Sequence, residues 1–401
     1  MKVIIKFLKF LLPALCLIFF CGDRAFAATL GDLNDDGYIN SSDYTLLRRY
    51  LLNLSSDINS GVADLNGDRK VNSSDYILLR RYLLGMLDSF PGGGDRKGFY
   101  VQDGKLYDAN GNEFIMRGIN HAHTWFKDQL DTALTGIANT NANIVRIVLS
   151  NGGQWTKDDK NSLKEIIDKC KERQLIVMFE VHDCTGYGET QHAPNAVHIS
   201  TAVDYWIEMK DVLMGEEAYV IINIANEPFG NNVSADTYVN DHITAIQRMR
   251  NAGFKHTLVV DGANWGQDWE NIMRNRALEI FNADPERNVV FSVHMYQVYQ
   301  NDYTINDYMR TFIDNRLPLI VGEFGADHQG QEVDEYSIMQ RAEEYGIGYI
   351  GWSWKGNNPE NANLDIALDW AGNTLSSWGE SLINSTYGIK NTAETCTIFT
   401  Q

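Results

Sequence analysis

The sequence predicts an α/β protein in which a (β/α)8 barrel follows a small α-helical module. Three observations predict this fold class. Apolar runs of strand length alternate with amphipathic stretches from residue 99 onward, a segment before residue 90 repeats with a period of 32 residues, and polar side chains accumulate where the apolar runs end. With 401 residues, the chain is long enough for one large domain and one small domain.

The first 27 residues have the pattern of a secretory signal. Three lysines precede an apolar core at residues 10–20, and the sequence A-F-A at residues 25–27 is typical of a cleavage site. The apolar run is shorter than the roughly 20 residues of a membrane span, so a retained anchor is the weaker alternative. We therefore expect residues 1–27 to be removed and the mature protein to be secreted and extracellular.

The protein is acidic. Its formal net charge is −19, and removal of the signal, which carries four cationic side chains and one anionic side chain, lowers the charge to −22. Such a surface repels nucleic acid and anionic lipid, so the composition argues against both as partners. No segment after the signal is apolar enough to cross a membrane.

Three cysteines remain after the signal, namely Cys170, Cys184 and Cys396. Three thiols form at most one disulfide, so the fold must depend on its hydrophobic core. A packed, inert thiol is the favoured interpretation of Cys184, and whether Cys170 pairs with Cys184 stays open.

Two copies of a loop rich in side-chain oxygens begin at Asp32 and Asp64, and each leads into the same helix pattern. Oxygen donors recur at loop positions 1, 3, 5, 9 and 12, with a backbone carbonyl expected at position 7, which is typical of a calcium loop. Hard oxygen donors suit Ca²⁺ better than a transition metal, so two calcium ions are predicted. The predicted ligands are Asp32, Asn34, Asp36, the Tyr38 carbonyl, Asn40 and Asp43 in the first loop, and Asp64, Asn66, Asp68, the Lys70 carbonyl, Asn72 and Asp75 in the second.

Position 12 of each loop is Asp rather than the Glu of a standard EF-hand, and no helix pattern precedes the first loop. With the paired serines and the repeated L-L-R-R-Y-L-L stretch, these features make residues 31–88 resemble a type I dockerin, the module that docks enzymes onto the cohesins of a cellulosome scaffoldin. The resemblance implies a cohesin partner, and a calcium-stabilised spacer is the alternative. The implied cohesin-binding residues are Ser41, Ser42, Arg48, Arg49, Ser73, Ser74, Arg80 and Arg81.

Arg69 departs from the dockerin pattern, because the family has a glycine at loop position 6, where the chain turns sharply. We expect the second calcium site to be strained or weaker, but still formed.

A short stretch rich in Pro and Gly, P-G-G-G-D, divides the chain. It permits independent motion of the two halves. The predicted divisions are the signal at residues 1–27, the dockerin at 28–88, a linker at 89–98, the catalytic barrel at 99–390 and a C-terminal tail at 391–401.

Eight apolar runs in the second half have the length of buried strands, and helix-like segments separate most of them. Eight such units over about 290 residues favour a closed (β/α)8 barrel. A doubly wound sheet is the alternative, but it would not need eight strands. The predicted strands are residues 114–120, 144–150, 175–181, 220–225, 257–261, 289–294, 317–323 and 348–354.

Glu227 and Glu323 each lie where an apolar run closes. Pro228 cannot extend the ladder beyond Glu227, and Glu323 ends the run L-P-L-I-V-G-E. Because functional residues of a barrel lie at the carboxyl ends of its strands, two glutamates there predict acid/base or nucleophilic chemistry. Two carboxyl groups in one cleft permit glycoside hydrolysis, in which one protonates the leaving oxygen and the other attacks the anomeric carbon.

Polar and aromatic side chains follow the other predicted strands as well. One buried histidine or arginine is usually a structural partner, but such residues at nearly every strand end indicate a site. Four of the histidines raise the alternative of a metal site, but H-E-x-x-H and Cys-His spacings are absent, so no catalytic cofactor is expected. The candidates are Asn120, His121, His123, Arg146, His182, Asp183, Asn226, Trp265, His294, Tyr296, Trp352 and Trp354, with Trp125 beside the first of them.

Residues 99–390 resemble glycoside hydrolase family 5, a retaining TIM-barrel family. The resemblance lies in the eight strand ends together with the motifs A-N-E-P at 225–228 and G-E-F-G at 322–325. The resemblance implies that Glu227 is the acid/base and Glu323 the nucleophile.

The same resemblance implies roles for the remaining residues. Asn226 would hold the 2-hydroxyl of the sugar, His294 and Tyr296 would orient the two carboxylates, and Arg146 would support the nucleophile. His182 would line the −1 subsite, with Trp354 rather than Trp352 as its floor. The other implied substrate-binding residues are His123, Trp125 and Trp265, and the last of these would stack on a sugar ring beside the cleavage point.

Four stretches, at residues 117–126, 181–188, 262–269 and 351–357, resemble the bacterial β-mannanases of this family more than its cellulases. The resemblance implies a cellulosomal endo-β-1,4-mannanase with a monomeric catalytic domain acting on mannan, glucomannan or galactomannan. Mannose and glucose differ in the orientation of one hydroxyl, which residue spacing does not reveal, so an endo-β-1,4-glucanase is one alternative. A non-catalytic carbohydrate-binding subunit is an alternative from a different class.

Overall fold

The computed structural model describes residues 29–66, 70–87, 90 and 97–400. The predicted signal at residues 1–27, the predicted calcium ligand Asp68 and the neighbouring Arg69 lie outside these residues, as does most of the predicted linker. The chain divides into two compact units, the first ending at Phe90 and the second beginning at Pro91.

The first unit repeats its structure as it repeats its sequence. Asn40 and Asn72 cap two equivalent helices, and Asp43 and Asp75, three residues into each helix, accept hydrogen bonds from the backbone of the capping residue. The two capping boxes explain why each oxygen-rich loop leads directly into a helix. The helices are α1 (Ser41–Leu51), α2 (Ser60–Ala63) and α3 (Ser73–Leu83).

The core of this unit is small and lies between α1 and α3. Leu47 and Leu79, at equivalent positions of the two repeats, are fully buried. The rings of Tyr44 and Tyr76, another equivalent pair, stack with their centroids 4.2 Å apart. The internal repeat therefore supplies both halves of one packing surface.

Eight parallel strands of the second unit form a closed barrel, which confirms the predicted (β/α)8, or TIM, barrel. Each strand pairs with the next along the chain, and the last pairs with the first. The barrel strands are β1 (Arg117–His121), β2 (Ile144–Leu149), β3 (Ile176–Val181), β4 (Val220–Asn223), β5 (Leu258–Asp261), β6 (Val289–Met295), β7 (Leu319–Phe324) and β8 (Gly348–Gly351). Two short antiparallel hairpins pair Tyr100–Gln102 with Lys105–Tyr107 and Asp327–His328 with Gln331–Glu332.

Amphipathic helices surround the barrel, as the alternating pattern predicts. In α5 (Lys160–Glu172), Asp159 caps the first turn, and Leu163, Ile166, Ile167 and Cys170 recur at helical spacing and are buried. None of the described helices is both long and apolar enough to span a bilayer. The helices are α4 (Leu130–Ala138), α5 (Lys160–Glu172), α6 (Ile199–Glu208), α7 (Lys210–Leu213), α8 (Ala235–Asn251), α9 (Ile272–Ala283), α10 (Asp302–Asp314), α11 (Glu335–Tyr345), α12 (Ser377–Asn384) and α13 (Ile389–Thr392), with 3-10 turns at His123–Trp125, Lys127–Gln129, His182–Cys184, Pro359–Leu364 and Thr397–Phe399.

A bulge interrupts the pairing of β6 with β7. The register shifts by one residue just before His294, which pairs with Glu323 and leaves Gly322 as the extra residue. A Cβ at Gly322 would lie 2.2 Å from Ser292 Oγ, so only glycine fits there. The bulge brings His294 beside Glu323 at the carboxyl end of the barrel.

The C-terminal segment predicted as a tail packs against the barrel. Arg117 Nε donates a hydrogen bond to Thr392 Oγ1 at 3.0 Å, and Asn143 Nδ2 donates to the Glu394 carbonyl at 2.9 Å. Cys396 is buried against the barrel in the same segment. These contacts connect the last residues of the chain to the first two barrel strands.

Cys170, Cys184 and Cys396 carry free, buried thiols, so Cys170 and Cys184 are not paired. Burial raises the pKa of each thiol, which keeps it protonated and unreactive. The interpretation of Cys184 as a packed thiol agrees with this environment.

Candidate active site

Glu227 lies just beyond β4, in a backbone conformation that residues other than glycine rarely adopt. Its φ is 38°, and its backbone N–H donates to Asp261 Oδ2 at 3.1 Å. Asp261 is the last residue of the neighbouring strand β5 and is fully buried. The end of β5 therefore holds the turn that aims Glu227 into the barrel mouth.

Glu323 is held at both of its carboxylate oxygens. Arg146 Nη1 donates to Oε1 at 2.7 Å, and the hydroxyl of Tyr296 donates to Oε2 at 2.8 Å. Arg146 comes from the middle of β2, and Tyr296 directly follows β6. Three different strands thus fix the orientation of one carboxylate.

His294 lies between the two glutamates. Its Nδ1 lies 2.7 Å from Glu227 Oε1 and 3.6 Å from Glu323 Oε2, and its Nε2 lies 3.3 Å from Asp261 Oδ2. Burial by itself lowers the pKa of His294, but the three carboxylates outweigh it and raise the pKa to about 10. The ring is therefore an imidazolium at neutral pH, and both of its nitrogens can donate.

Two of the three carboxyl groups around this imidazolium have opposite pKa shifts. Burial raises the pKa of Glu227, and the charge of Glu323 adds to the effect, although the hydrogen bond from His294 opposes it. Burial also acts to raise the pKa of Asp261, but His294 and Arg146 outweigh it and lower the pKa to about 2. Glu227 is thus the carboxyl group suited to carry a proton, and Asp261 is a permanent anion.

Arg146 organises the floor of the site. It is fully buried, and its Nη2 donates to both Asn223 Oδ1 and Asn226 Oδ1 at 2.7 Å. Burial acts to lower the pKa of Arg146, but Glu180 at 3.9 Å and the other two carboxylates outweigh it and raise the pKa. Arg146 therefore remains a cation beneath the cleft.

His182 and Trp352 lie on one side of the cleft. The two rings stack with centroids 5.9 Å apart, and Trp125 meets His182 edge-on at 5.1 Å. Nδ1 of His182 lies 2.9 Å from the buried carboxylate of Glu180. Burial acts to lower the pKa of His182, but Glu180 outweighs it and raises the pKa.

The cleft has a volume of about 820 Å³ and opens at the carboxyl ends of the strands. Both glutamates line it, together with five of the predicted substrate-binding residues. Arg146 and His294 lie beneath this surface and contact the glutamates. The predicted residues that line the cleft are Trp125, His182, Asn226, Glu227, Trp265, Tyr296 and Glu323.

The prediction for Trp354 is wrong. β8 ends at Gly351, so strand alternation does not continue to residue 354. Trp354 is fully buried, and its Nε1 donates to the Trp370 carbonyl, whereas Trp352 lines the cleft. Trp352 is therefore the tryptophan that can contact a substrate.

His123 also lies outside the cleft lining. It is buried, and its Nε2 lies 3.4 Å from Ser162 Oγ and 3.5 Å from Asp158 Oδ1. His123 packs the loop after β1 against the start of α5. Its position therefore does not support the predicted substrate-binding role.

The sequence analysis missed two buried carboxylates of the charge network, Glu180 and Asp261. Glu180 lies two residues before His182, so strand alternation would have placed both side chains on the same face of β3. Asp261 is the last residue of β5, whereas the residue predicted to reach the site after this strand was Trp265. The cleft also has lining residues that went unnoticed: Glu189, Asn264, Gln267, Trp269, His328 and Asn357.

Glu227, His294 and Glu323 also have the spacing of metal ligands, and their donor atoms lie within 4.8 Å of one another. They are the one such group among the described residues. Those atoms are already engaged, since His294 bonds to Glu227, while Arg146 and Tyr296 bond to Glu323. The expectation that catalysis needs no metal stays a prediction.

The first calcium loop has the donor set that Ca²⁺ requires. Asp36 N and Gly37 N donate to the two carboxylate oxygens of Asp32, and Asn34 Nδ2 donates to Asp36 Oδ2 at 2.8 Å. The Asn40 side chain reaches the Tyr38 carbonyl at 3.4 Å. These hydrogen bonds hold the side chains of the loop in a compact turn, and the binding of Ca²⁺ by the loop stays a prediction.

The second loop repeats the same anchoring. Asp75 accepts from Leu65 N at 2.7 Å and from Asn72 N at 2.8 Å, as Asp43 does at the equivalent position of the first loop. The predicted cohesin-binding serines and arginines are exposed, except Arg81, which is half-buried.

The chemistry of the barrel site defines its class. The site contains two carboxyl groups with oxygens within 4.8 Å of each other. One has a raised pKa, and the other accepts hydrogen bonds from two donors. Barrel enzymes cleave glycosidic bonds with such a pair. The aromatic walls suit the apolar faces of sugar rings. The fold and the site together define a glycoside hydrolase.

Comparison with known proteins identifies the family. Residues 107–358 match the cellulase family, glycosyl hydrolase family 5, and residues 30–84 match the dockerin type I domain. The chain therefore belongs to glycosyl hydrolase family 5 and carries an N-terminal type I dockerin domain, which confirms both resemblances.

Several relatives are similar over most of the barrel. A mannan endo-1,4-beta-mannosidase of Cellvibrio japonicus is 55% identical over 302 residues, which cover 75% of this chain and 69% of the relative. A mannan endo-1,4-beta-mannosidase of Salipaludibacillus agaradhaerens is 44% identical over 304 residues, or 76% of this chain and 96% of the relative. The solved structure of a β-mannanase from Thermomonospora fusca has 49% identity and a TM-score of 0.73, and the match covers 75% of this chain and 99% of that one.

Proposed function

We propose that the protein is a secreted endo-β-1,4-mannanase that hydrolyses mannan, glucomannan or galactomannan with retention of anomeric configuration. The substrate class is supported by the relatives named above, which are 44% and 55% identical over three quarters of the chain. The barrel provides an open cleft of about 820 Å³ in which a polysaccharide chain can be bound internally.

The spacing of the carboxyl groups supports retention. One carboxylate oxygen of Glu227 and one of Glu323 lie within 4.8 Å of each other. Retaining glycosidases place their carboxyl groups about 5 to 5.5 Å apart, whereas inverting enzymes need about 6.5 to 9.5 Å to accommodate a water molecule. This single observation carries the proposed mechanism.

In the first step, Glu323 attacks the anomeric carbon and the glycosidic C–O bond breaks. Glu227 gives its proton to the leaving oxygen, a role for which its raised pKa is suited. Arg146 and Tyr296 keep Glu323 aimed at the reacting carbon. The product of this step is a glycosyl ester of Glu323 and a released sugar chain.

In the second step, Glu227 acts as the base. The ester removes the negative charge of Glu323, so the pKa of Glu227 falls and the carboxylate can take a proton from water. The water attacks the anomeric carbon, the bond to Glu323 breaks, and two inversions give net retention. The His294 imidazolium donates to Glu227 and stabilises its anionic form in this step.

The sugar itself would be bound by aromatic faces and a few polar groups. Asn226 is fixed between Arg146 and Thr185 next to Glu227, where a 2-hydroxyl of the attacked sugar would lie. Trp352 and Trp265 both line the cleft and offer their rings for stacking.

The dockerin would attach the enzyme to a scaffoldin outside the cell. The predicted ligands of the first loop, and the described ligands of the second, would hold Ca²⁺, which neutralises their carboxylates and orders the loops. The exposed serines and arginines of α1 and α3 would then contact a cohesin. We further propose that the signal, the linker and the C-terminal tail have the boundaries predicted above, and that the catalytic barrel is monomeric.

Release of reducing sugar from galactomannan, carboxymethylcellulose and xylan, measured side by side, tests the substrate. We expect activity on galactomannan to exceed the other two by at least tenfold. Greater activity on carboxymethylcellulose would instead identify an endoglucanase. No activity on any of the three, with Glu227→Ala and Glu323→Ala indistinguishable from wild type, would identify a binding subunit.

A further inference from the structure

Glu189 is a carboxylate that neither catalytic step uses, and it lies in the cleft wall near Glu227. Its Oε2 accepts a hydrogen bond from Trp265 Nε1 at 2.7 Å and another from Asn231 N at 2.8 Å. These residues lie in three different loops, which follow β3, β5 and β4 respectively. One oxygen atom therefore ties together three adjacent loops of the barrel mouth.

The same wall is attached to the backbone of the proposed acid/base. Gly186 N donates to the Glu227 carbonyl at 2.9 Å, and Trp265 N donates to the Phe229 carbonyl at 3.0 Å. A Cβ on Gly186 would lie 2.2 Å from the Trp265 ring, so the indole packs directly on the backbone of the β3 loop. The position of the Trp265 ring is thus coupled to the loop that carries Glu227.

Trp269 is a second tryptophan attached to this wall. Its Nε1 donates to Asn231 Oδ1 at 2.9 Å, and its side chain lines the cleft while remaining 51% exposed. Asn231 therefore connects the two indoles, through its backbone to Glu189 and through its side chain to Trp269. An exposed tryptophan in a cleft is a suitable surface for stacking on a sugar.

Trp352 and His182, which also line the cleft, have separate anchors. Trp352 Nε1 donates to Asn357 Oδ1 at 3.0 Å, and His182 is held by Glu180. Neither of these anchors involves Glu189. Loss of Glu189 would therefore loosen Trp265 and Trp269 and leave the anchors of Trp352 and His182 in place.

We propose that Glu189 is a positioning residue that holds the Trp265 and Trp269 wall in place to bind sugars on the leaving-group side of the scissile bond. The inference rests on the proposed function, because Glu227 gives its proton to the leaving oxygen and this wall is built onto the Glu227 loop. A charge-assisted hydrogen bond to the indole restrains a ring that would otherwise rotate. Held in place, the ring binds the departing sugar in the orientation that Glu227 needs.

The test compares two substrates that have different leaving groups. Mannopentaose loses a sugar, whereas β-mannotriosyl fluoride loses fluoride, which occupies no sugar-binding surface and needs little protonation. For Glu189→Ala we expect kcat/KM to fall about five- to twentyfold on mannopentaose and less than twofold on the fluoride. Glu189→Gln keeps an acceptor oxygen and should restore most of the activity.

Glu165→Ala, on the outer face of α5 and exposed, is the matched control and should behave as wild type on both substrates. An equal loss on both substrates, or no loss on either, would overturn the inference. Wild-type protein that is inactive on both would contradict the proposed function itself, and the inference with it.

A double-mutant cycle keeps the inference testable if Glu189→Ala is unstable. Trp265→Phe retains a ring but lacks the Nε1–H donor, so it should reproduce the loss on mannopentaose. If Glu189 acts through this bond, Glu189→Leu, which is of similar size but has no acceptor oxygen, should cause a smaller loss in Trp265→Phe than in the wild type. Independent, multiplying losses in the double variant would show that Glu189 does not act through Trp265.

Discussion

Carboxylates gather in two regions of this protein, and their charges are balanced in different ways. At the barrel mouth, Asp261 and Glu323 lie against two cations of the same chain, Arg146 and His294, at 2.7 to 3.6 Å. In the first dockerin loop, the described partners of Asp32 are backbone N–H groups, and the balancing charge is expected from Ca²⁺. The catalytic unit therefore carries its own counter-ions, whereas the docking unit is expected to take its balancing charge from an ion of the medium.

The largest expected effect comes from removing a carboxylate that performs chemistry. Glu323→Ala should lower kcat on mannan by at least about 10⁴-fold, because no group remains to form the glycosyl intermediate. Added azide should restore turnover of an aryl β-mannoside and yield an α-mannosyl azide, identified by NMR. A β-azide product from this variant would contradict the assignment of Glu323 as the nucleophile.

The next effect tests the internal counter-ion. Arg146→Met should lower the free energy of unfolding by about 3 to 5 kcal/mol, because it leaves buried carboxylates without a cation. Urea denaturation followed by fluorescence measures this loss. Arg248→Met breaks an exposed pair with Asp204 and should cost no more than about 1 kcal/mol. Equal effects of the two substitutions would mean that the buried network contributes no more than a surface pair.

Removing calcium should separate the two regions functionally. With excess chelator, binding to a panel of type I cohesins should weaken at least about 100-fold, since the loops lose the ion that orders them. Hydrolysis of soluble galactomannan should change less than about twofold under the same conditions. Calcium should restore cohesin binding. A parallel loss of hydrolysis would show that the barrel also depends on a metal.

The smallest effect is a pH dependence of barrel stability. The pKa of His294 is raised from 6.5 to about 10 in the folded state, so its stabilising contribution is complete below about pH 6.5 and is lost as the pH rises through 10. Urea midpoints of wild type should fall between pH 7 and 10, and those of His294→Gln should fall less. The control is His242→Gln, because burial lowers the pKa of His242 to about 4, outside this range.

The fold was predictable from the sequence because each barrel strand is an apolar run of the right length. Glu227 and Glu323 were predictable for a related reason, since a buried strand that stops at a carboxylate is conspicuous. Trp354 was assigned wrongly because alternation holds only while the chain stays in the ladder, and β8 ends at Gly351. Sequence periodicity gives no sign of where that ladder ends.

The charge network was harder to predict. Glu180 lies 34 residues and Asp261 lies 115 residues after Arg146 in the sequence, and only the closure of the barrel brings the three together. The bulge at Gly322, which sets His294 beside Glu323, also depends on the pairing of two strands rather than on one segment. Contacts of this kind follow from strand register, which one sequence does not specify.

The packing of residues 392–396 on the first barrel strands has a consequence for synthesis. These residues are made after all eight barrel strands, yet Thr392 and Glu394 form hydrogen bonds with Arg117 and Asn143, which are made more than two hundred residues earlier. The first two strands therefore lack these contacts until the other barrel strands have been made, whereas the hydrophobic core around the dockerin helices lies within residues 30–90. During synthesis, the docking unit can therefore fold long before the catalytic unit forms its last contacts.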